Sequence, residues 1–412
     1  MSNLKYWLWL TGRKGLAGQN SVRVLNYFGS PERVYFSDAE EYRMVEGLSE
    51  AALHSLADKS LDTANKILGD CDRLGIRLLT MQDAAYPERL AAIHQPPMVL
   101  YTKGRQVAFD EEAAIAIVGT RSATPYGIYA ASQLAVDLTY SGALVVSGMA
   151  EGIDAAAVRG ALSAGGPVVS VLAGGLDVVY PREHGSLYED VASVGTLISE
   201  HPPGTPHIGS HFPIRNRIIS GLSAGVIVVE SKRYGGSLYT VGHALDQNRD
   251  VFAVPGAIGS AESEGTNRLI QEGAAKLIMN ADDVLCEMMD RFPSRLRRKH
   301  QVSHEVLEQR AAAVAEHVIS RSARSEEKKK EVDNVLPEEY IDWQDYKMKL
   351  TDEQQAVLLS FGEQKLRVDD VVEKVQLPAR RVLAALTILQ VMGLVKEEDG
   401  KRFGMAVRLK ME

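Results

Sequence analysis

The strongest constraint on this chain is a series of short apolar runs, separated by stretches of helix length, between about Ile76 and Met279. The central runs are almost wholly apolar, which is typical of parallel strands covered by helices on both faces. Stretches such as Ile128–Tyr140 carry helical periodicity. Repeated strand–helix units predict an α/β fold with a doubly wound, mostly parallel sheet of the Rossmann-like type. The candidate strands are Ala114–Val118, Ala143–Ser147, Val168–Leu172, Thr196–Ser199, Val226–Glu230, Val251–Val254 and Leu277–Met279.

Composition limits the class of protein. With 412 residues, 45% of them hydrophobic and 24% charged, the chain has room for two or three globular domains. No apolar run approaches the roughly 20 residues of a membrane helix, and the burst Tyr6–Leu10 is too short for a signal peptide. The cysteines, Cys71 and Cys286, are too few for a disulfide framework. We therefore expect a cytoplasmic protein with reduced thiols and no membrane partner.

The patterns predict four segments. Residues 1–66 suggest short helices around Gly12, Gly15 and Gly18, either a SAM-like or helix-hairpin-helix module or a plain helical cap. Residues 67–288 form the Rossmann-like domain, and residues 289–349 a charged, partly helical linker. That linker opens with basic residues that either contact a polyanion or are solvated surface. These residues are Arg291, Arg295, Arg297, Arg298 and Lys299.

Residues 350–412 predict a compact winged-helix domain. Thr351 and Gln354 form a candidate capping box, Val368–Val375 a second helix, and Ala379–Val391 a third helix entered through Pro378. A β-hairpin with an Asp-Gly turn then follows, as in a winged helix. Its parts are Leu394–Glu398, Asp399-Gly400 and Arg402–Val407, while Arg380 and Arg381 begin the third helix. Such a helix can meet DNA, but many winged helices bind protein, and both alternatives stay open.

Glycines and basic residues follow the predicted strands, where open α/β sheets bind ligands. Glycine permits close approach to the backbone, helix N-termini favour phosphate, and guanidinium groups clamp it. Because the net charge is −8, any polyanion site must be a local cluster. Alternatively, Arg215 and Arg217 pair internally with Glu200 or Glu230. The candidate site residues are Gly119, Thr120, Arg121, Ser147, Gly148, Arg215, Asn216, Arg217, Lys232 and Arg233.

Several catalytic signatures are missing from the sequence. It contains no G-x-G-x-x-G after a strand, no phosphate-binding G-x-x-x-x-G-K-S/T, no G-x-S-x-G and no H-E-x-x-H. The histidines lack the spacing of metal ligands; they include His184, His201, His207, His211 and His243. We therefore expect a non-enzymatic protein with no catalytic residues, no metal and no cofactor.

A set of motifs resembles the DprA/Smf family of DNA-processing proteins. They run in the family's order from A-I-V-G-T-R-x-x-T-x-Y-G to G-T-N-x-L-I-x-x-G-A. The matching segments are Ala116–Gly127, Ser147–Asp154, Gly174–Pro181, Ser199–Pro206, Phe212–Ser223, Val228–Glu230, Val251–Gly256 and Gly265–Ala274. The flanking helical module and the winged helix also resemble the longer family members.

The resemblance implies a homodimeric protein that binds single-stranded DNA and loads the RecA recombinase, in DNA uptake, natural transformation and recombination. It implies no cofactor, and it makes residues 67–288 the DNA-binding domain. The family's phosphate-binding G-S/T-R motif falls on Gly119, Thr120 and Arg121, and its R-N-R segment on residues 215–217. The sequence departs from the family at Ala157-Val158, where A-H is usual, and at His184, where Asn is usual.

One further departure concerns the K-S-G-S-L stretch, which here is Tyr234–Leu238 without its lysine; Lys232 or Arg233 would have to compensate. The alternative to a binding protein is a LOG-like nucleotide phosphoribohydrolase, which uses P-G-G-x-G-T-x-x-E. The nearest segment, Gly235–Ser237, is followed by Leu238, Tyr239 and Gly242 where glycine, threonine and glutamate are needed. Without that carboxylate, the acid–base step lacks its group.

Overall fold

The computed structural model describes residues 3–16, 18–297, 340–342, 350–362, 364–391, 394–398, 402–405 and 408–410. The chain divides into two compact units, residues 1–318 and residues 319–412. Most of the predicted linker, residues 298–339 and 343–349, lies outside the described residues. The four predicted segment boundaries therefore stay predictions, apart from the observations given below.

Among the described residues, six helices precede the first strand, in agreement with the predicted helical N-terminus. Local sequence fixes several of their starts: Ser30 caps a helix beginning at Pro31, and Asp38 with Glu41 forms a capping box. The predicted boundary at residues 66/67 falls inside the last of these helices, whose buried face shares one core with the sheet. The helices are α1 (Leu4–Thr11), α2 (Gln19–Phe28), α3 (Pro31–Phe36), α4 (Ala39–Arg43), α5 (Glu50–Ala57) and α6 (Asp62–Leu74).

A nine-stranded sheet forms the body of the first unit, in the order β1-β2-β6-β5-β4-β3-β7-β8-β9. The seven strands from β6 to β9 in this order are parallel, whereas β1 and β2 are antiparallel to their neighbours. The doubly wound, mostly parallel sheet is thus confirmed. The strands are β1 (Arg77–Thr80), β2 (Val99–Gly104), β3 (Ala114–Val118), β4 (Leu144–Ser147), β5 (Val168–Val171), β6 (Thr196–Ser199), β7 (Gly225–Val228), β8 (Asp250–Ala253) and β9 (Lys276–Leu277).

Helices cover both faces of this sheet. Along β3, Ile115 and Ile117 face one core, while Ala114, Ala116 and Val118 face the other. This alternation buries every residue of the strand and explains its continuous apolar character. The covering helices are α7 (Glu88–Ala91), α8 (Pro125–Tyr140), α9 (Ile153–Ser163), α10 (Gly185–Val194), α11 (His211–Leu222), α12 (Ser237–Asp246), α13 (Glu264–Gln271) and α14 (Asp282–Met288).

The direction of winding reverses at β3, which pairs with β4 on one side and β7 on the other. In doubly wound sheets the crevice at such a reversal, beyond the carboxyl ends of the strands, is the usual ligand position. The loops after β3 and β7 therefore flank the expected site.

The start of the predicted linker packs against this first unit. Leu296 is buried, Arg291 pairs with Asp250 at 2.8 Å, and Arg295 pairs with Glu111 at 2.8 Å. These two basic residues are thus engaged by carboxylates of the first unit, while the linker role of residues 289–349 stays a prediction. Arg298 and Lys299 lie outside the described residues.

The second unit has the predicted winged-helix order of three helices and a hairpin. Thr351 caps its first helix in a capping box with Gln354, as expected. β12 and β13 pair antiparallel, β11 joins β13, and β10 pairs in parallel with β14. The elements are α15 (Asp352–Phe361), α16 (Val368–Val375), α17 (Ala379–Val391), β10 (Tyr340–Asp342), β11 (Leu366–Arg367), β12 (Val395–Glu398), β13 (Arg402–Met405) and β14 (Arg408–Lys410). Across the part of the chain that the structure describes, no helix is long and apolar enough to span a bilayer.

Candidate nucleic-acid interface

Backbone hydrogen bonds hold the loop after β3 in place at the carboxyl end of the strands. The Thr120 N–H donates to the Glu230 carbonyl at 2.8 Å, and the Ile153 N–H donates to the Thr120 carbonyl at 3.2 Å. A Cβ on Gly119 would lie 2.5 Å from Ile153 Cγ1, so only glycine fits there. These contacts fix the position of the following residue, Arg121.

The N-terminus of α8 is occupied by an internal carboxylate. Glu230 is 1% exposed and accepts the Thr124 N–H at 2.9 Å and its hydroxyl at 2.5 Å. A Cβ on Gly127 would lie 2.2 Å from Glu230 Oε2. Because the positive end of the helix already holds an anion, it is not available to a phosphate. The expectation that helix starts bind phosphate is wrong at this helix.

Arg121 is exposed and rests on an aromatic ring. Its guanidinium carbon lies 4.3 Å from the centroid of Phe212, the second residue of α11, and Tyr180 lies 5.5 Å from the same ring. Among the described residues, no carboxylate lies within ion-pair distance of this guanidinium. The exposed cation and its two rings, together with His207, form what we call the Arg121 surface.

Histidines continue the aromatic surface away from Arg121. His207 stacks on Tyr180 with centroids 5.2 Å apart, and its Nε2 bonds the Val178 carbonyl at 2.9 Å. His201 stacks on His211 at 4.2 Å. Burial lowers the pKa of both His201 and His207, although Glu200 and the Val178 carbonyl act against this at the respective rings. The neutral imidazoles are therefore favoured in the folded state.

Arg215 lies beneath the surface. It is 4% exposed and donates from Nη1 to the carbonyls of Gly148, at 2.9 Å, and Val171. A Cβ on Gly148 would lie 2.6 Å from both Nη atoms and from Asp154 Oδ2. Burial lowers the pKa of Arg215 to about 10, which keeps it charged at neutral pH, and burial raises the pKa of the neighbouring Asp154 carboxyl. Arg215 thus joins the ends of β4 and β5.

Arg217 is also internal. It is 8% exposed, and both its Nη atoms bond the Glu200 carboxylate while Nε donates to the Gln95 carbonyl at 3.0 Å. Asn216 Oδ1 accepts from Arg215 Nε at 3.1 Å. Of the internal pairings left open, that of Arg217 with Glu200 is confirmed. The segment lies within α11, whose inward face leaves neither guanidinium for a surface phosphate.

Ser147 has no exposed surface either. Its hydroxyl donates to the Ile117 carbonyl at 2.7 Å, because it ends β4 between two neighbouring strands. Gly148, next to it, is buried and leaves space for Arg215. A direct DNA contact from Ser147, Gly148, Arg215 or Arg217 therefore has no geometric support, and burial by neighbouring strands and helices is the reason.

Lys232 and Arg233 lie on the exposed loop after β7, at the same sheet edge as Arg121. Each has a glutamate partner: Lys232 pairs with Glu262 at 3.2 Å and Arg233 with Glu264 at 3.3 Å. These charges are locally compensated, unlike that of Arg121. The neighbouring Gly235–Ser237 segment leads into α12, and Gly242 on that helix stands where the LOG-type motif has its glutamate.

Sequence reasoning placed Phe212 and Tyr180 in motifs but not among the site residues, and it missed His207 and the capping role of Glu230. Only the F-P-x-R-N-R motif gave a signal, since it puts an aromatic residue three positions before Arg215. The stacking joins residues that are distant in sequence, so residue spacing could not reveal it.

Comparisons with known proteins agree in both units. The family profile described as "DNA recombination-mediator protein A" matches residues 77–289, and that of the "DprA winged helix domain" matches residues 347–401. The chain is 40% identical over 241 residues to DNA processing protein DprA of Bacillus subtilis, covering 58% of this chain and 81% of that protein. It is 29% identical over 410 residues to Protein Smf of Synechocystis, covering 98% of each. The X-ray structure of DprA from Streptococcus pneumoniae superposes with a TM-score of 0.62 at 32% identity, covering 69% of this chain and 97% of that one.

Proposed function

This chain belongs to the DNA recombination-mediator protein A family, whose members include the DprA and Smf proteins, and we propose that it binds single-stranded DNA on the Arg121 surface. The observation that carries this proposal is the exposed guanidinium of Arg121, stacked 4.3 Å from the Phe212 ring and without an ion-pair partner among the described residues. An exposed cation on an aromatic platform suits a polymer of phosphates and bases.

The two parts of the surface have different tasks. Arg121 forms charge-assisted hydrogen bonds to a phosphodiester, and the fixed loop of Gly119 and Thr120 holds it in place. Tyr180, 42% exposed, offers its ring to a base. Stacking tolerates every base because each has a π-face, and it requires unpaired bases, which selects single strands over duplex.

The other predicted residues support this surface in our proposal. Arg215 and Arg217 are positioning residues: the first fixes the ends of β4 and β5, and the second fixes α11, which carries Phe212. Lys232 and Arg233 give peripheral contacts by exchanging a glutamate for a phosphate. The local cation at the sheet edge reconciles polyanion binding with a net charge of −8.

A binding titration tests the proposal. Fluorescence anisotropy with labelled oligo-dT and with a duplex of equal length, across a range of salt concentrations, compares the two ligands. We expect tighter binding of oligo-dT and a fall in log K of about 0.7 per phosphate contact for each decade of salt. Equal affinity for duplex, or no oligo-dT binding at low salt, would contradict the proposal. The protein acts by binding, so the oligonucleotide is expected to be recovered intact.

We further propose that the bound strand is passed to the RecA recombinase, as the recombination-mediator family suggests. The test is RecA ATPase activity on single-stranded DNA coated with single-strand-binding protein. The wild-type chain should shorten the lag, and Arg121→Glu should not. An unchanged lag with the wild-type chain, despite normal oligo-dT binding, would remove RecA loading while leaving DNA binding intact.

We also propose that the chain is a homodimer. The outer edge of β9 ends the sheet, and Leu277 and Met279 beside it are 42% and 79% exposed. Exposed apolar side chains at a free strand edge favour pairing with a second copy. Light scattering should give a dimer mass for the wild type and a monomer mass for Met279→Asp. A monomeric wild type at micromolar concentration would contradict this.

A further inference from the structure

A cavity of about 350 Å³ lies between the N-terminal helices and the sheet. One wall comes from α1, α2 and α6, and the opposite wall from β2 and the residues after β6. Its volume is within the range of roughly 300–1,000 Å³ that is usual for small-molecule sites. It does not include Arg121, Tyr180 or Phe212.

Two largely buried side chains, Tyr101 and Ser21, carry hydroxyl groups at the lining of this cavity. Tyr101 is 3% exposed and Ser21 is 8% exposed, and neither hydroxyl makes a hydrogen bond to any residue that the structure describes. Burial raises the pKa of Tyr101, so its hydroxyl stays protonated and can both donate and accept. Two hydroxyl groups at one cavity, neither of them bonded to a described protein group, can form hydrogen bonds to a polar ligand.

Charged groups at the cavity are held in place and balanced. Arg13 bonds the Trp9 carbonyl at 3.1 Å and pairs with Asp58 at 3.0 Å, and Arg217 pairs with Glu200. Each guanidinium thus has a carboxylate beside it. The cavity therefore suits an uncharged ligand with several hydrogen-bonding groups better than a strongly charged one.

Apolar and polar side chains share the rest of the lining. The apolar ones include Leu8, Leu16, Ile67, Pro97 and Met98. A lining that combines apolar side chains with hydrogen-bonding groups suits a heterocycle, whose faces are apolar and whose edge carries donors and acceptors. Nucleobases have this character, and a nucleobase with its sugar adds hydroxyls for the unpaired groups.

The cavity reaches the sheet edge that carries the Arg121 surface. Glu200, His201 and Pro202 line it and follow β6 directly. His201 stacks on His211, the residue before Phe212. A strand lying on the Arg121 surface therefore passes close to this wall of the cavity.

We propose that this cavity binds one nucleobase with its sugar, supplied either by an unstacked nucleotide of a bound strand or by a free nucleoside. The strand source rests on the proposed function, whereas the free source does not. Tyr101 and Ser21 are the specificity-determining groups at its polar edge. The Arg121 surface takes phosphates, and the cavity takes a base.

The test uses the full-length protein and two probes. Saturation-transfer NMR with thymidine and adenosine reports a free nucleoside, and fluorescence of an oligonucleotide carrying a single 2-aminopurine reports a captured base. The variants are Tyr101→Phe, which removes only the hydroxyl, and Ser21→Leu, which replaces the hydroxyl with a bulkier apolar side chain at the cavity lining. Tyr188→Phe is the matched control, because its buried hydroxyl is also unpartnered but lies outside the cavity.

We expect Tyr101→Phe to weaken the signal of at least one probe by about three- to tenfold, Ser21→Leu to abolish it, and Tyr188→Phe to leave it unchanged. A signal from nucleosides identifies the free source, and one from 2-aminopurine alone identifies the strand. No signal in either arm, or one equally insensitive to both cavity variants, overturns the proposal. Oligo-dT anisotropy measured on the same samples shows separately whether the Arg121 surface still binds DNA.

Discussion

The carboxylate of Glu230 accepts both the backbone N–H and the hydroxyl of Thr124, at 2.9 and 2.5 Å. In doubly wound sheets, the helix start after the strand at the reversal of winding usually faces a ligand phosphate. Here an internal anion fills that position. The phosphates of a polyanion are therefore expected to bind before this helix start in the sequence, at Arg121, whose side chain is exposed.

Replacing this internal anion tests its role. Glu230→Gln places an amide where two donors from Thr124 require an acceptor, in a site that is 1% exposed. We expect the free energy of unfolding to fall by about 1–3 kcal/mol, measured by urea denaturation. Glu264→Gln, at an exposed ion pair with Arg233, is the control and should change it by less than about 0.5 kcal/mol. Equal effects of the two substitutions would contradict the capping role.

The packing of Arg215 predicts intolerance of any side chain at Gly148. Gly148→Ala places a Cβ 2.6 Å from both Nη atoms of Arg215, so the guanidinium must move away from its carbonyl partners. We expect destabilisation of about 1–3 kcal/mol and weaker oligo-dT binding. Gly209→Ala serves as the control, since nothing lies within 4 Å of its Cβ position. Wild-type stability of Gly148→Ala would refute the assigned packing.

The pair of Arg217 with Glu200 predicts strong coupling in stability. Arg217→Met leaves a partly buried carboxylate without its cation and should lower the free energy of unfolding by about 3 kcal/mol. The double variant Arg217→Met/Glu200→Met should lose clearly less than the sum of the two single variants. Because Arg217 contacts no phosphate in this account, the salt dependence of oligo-dT binding should keep its slope. Additive losses, or a reduced slope, would assign Arg217 a different role.

The histidines predict a loss of stability in acid. Burial lowers the folded-state pKa of His201 and His207, so below about pH 6.5 the unfolded chain binds more protons than the folded one. Their contribution to stability is present above that pH and is lost as the pH falls through the folded-state pKa values. Urea midpoints at about pH 7.5 and about pH 5.5 measure this.

The combined variant His201→Phe/His207→Gln should show a smaller drop between these two pH values than the wild type. His54→Gln, on the exposed face of α5, should drop as much as the wild type. If this combined variant and the wild type lose equal stability in acid, groups other than these two histidines cause the loss.

The sequence predicted the strands of the parallel core well, because short continuous apolar runs in a chain of this size rarely form anything other than buried strands. Ala114–Val118 and Thr196–Ser199 match β3 and β6 at both ends. It missed β1 and β2, whose residues are only partly apolar because they lie at the antiparallel end of the sheet. At that end of the sheet, part of each strand is exposed to solvent, and the sequence of the strand is therefore less apolar.

The sequence also located the loops of the site but not the direction of their side chains. Arg121 and Arg215 follow glycine and proline motifs of similar appearance, yet one is exposed and the other 4% exposed. The difference comes from partners far along the chain: Gly148 and Val171 bind Arg215, whereas Phe212 supports Arg121 from one side only. Such contacts depend on tertiary packing, which residue spacing does not encode.

The most direct test of the central claim compares Arg121→Glu with Arg73→Glu in oligo-dT anisotropy at low salt. Arg73→Glu is the same charge change at an exposed site near the end of α6, which leads into β1, the end strand of the sheet, whereas Arg121 follows the interior strand β3. We predict that Arg121→Glu weakens binding by more than about tenfold with unchanged urea stability, while Arg73→Glu stays within about twofold of the wild type. Equal affinities of the two variants would contradict the claim that the Arg121 surface binds single-stranded DNA.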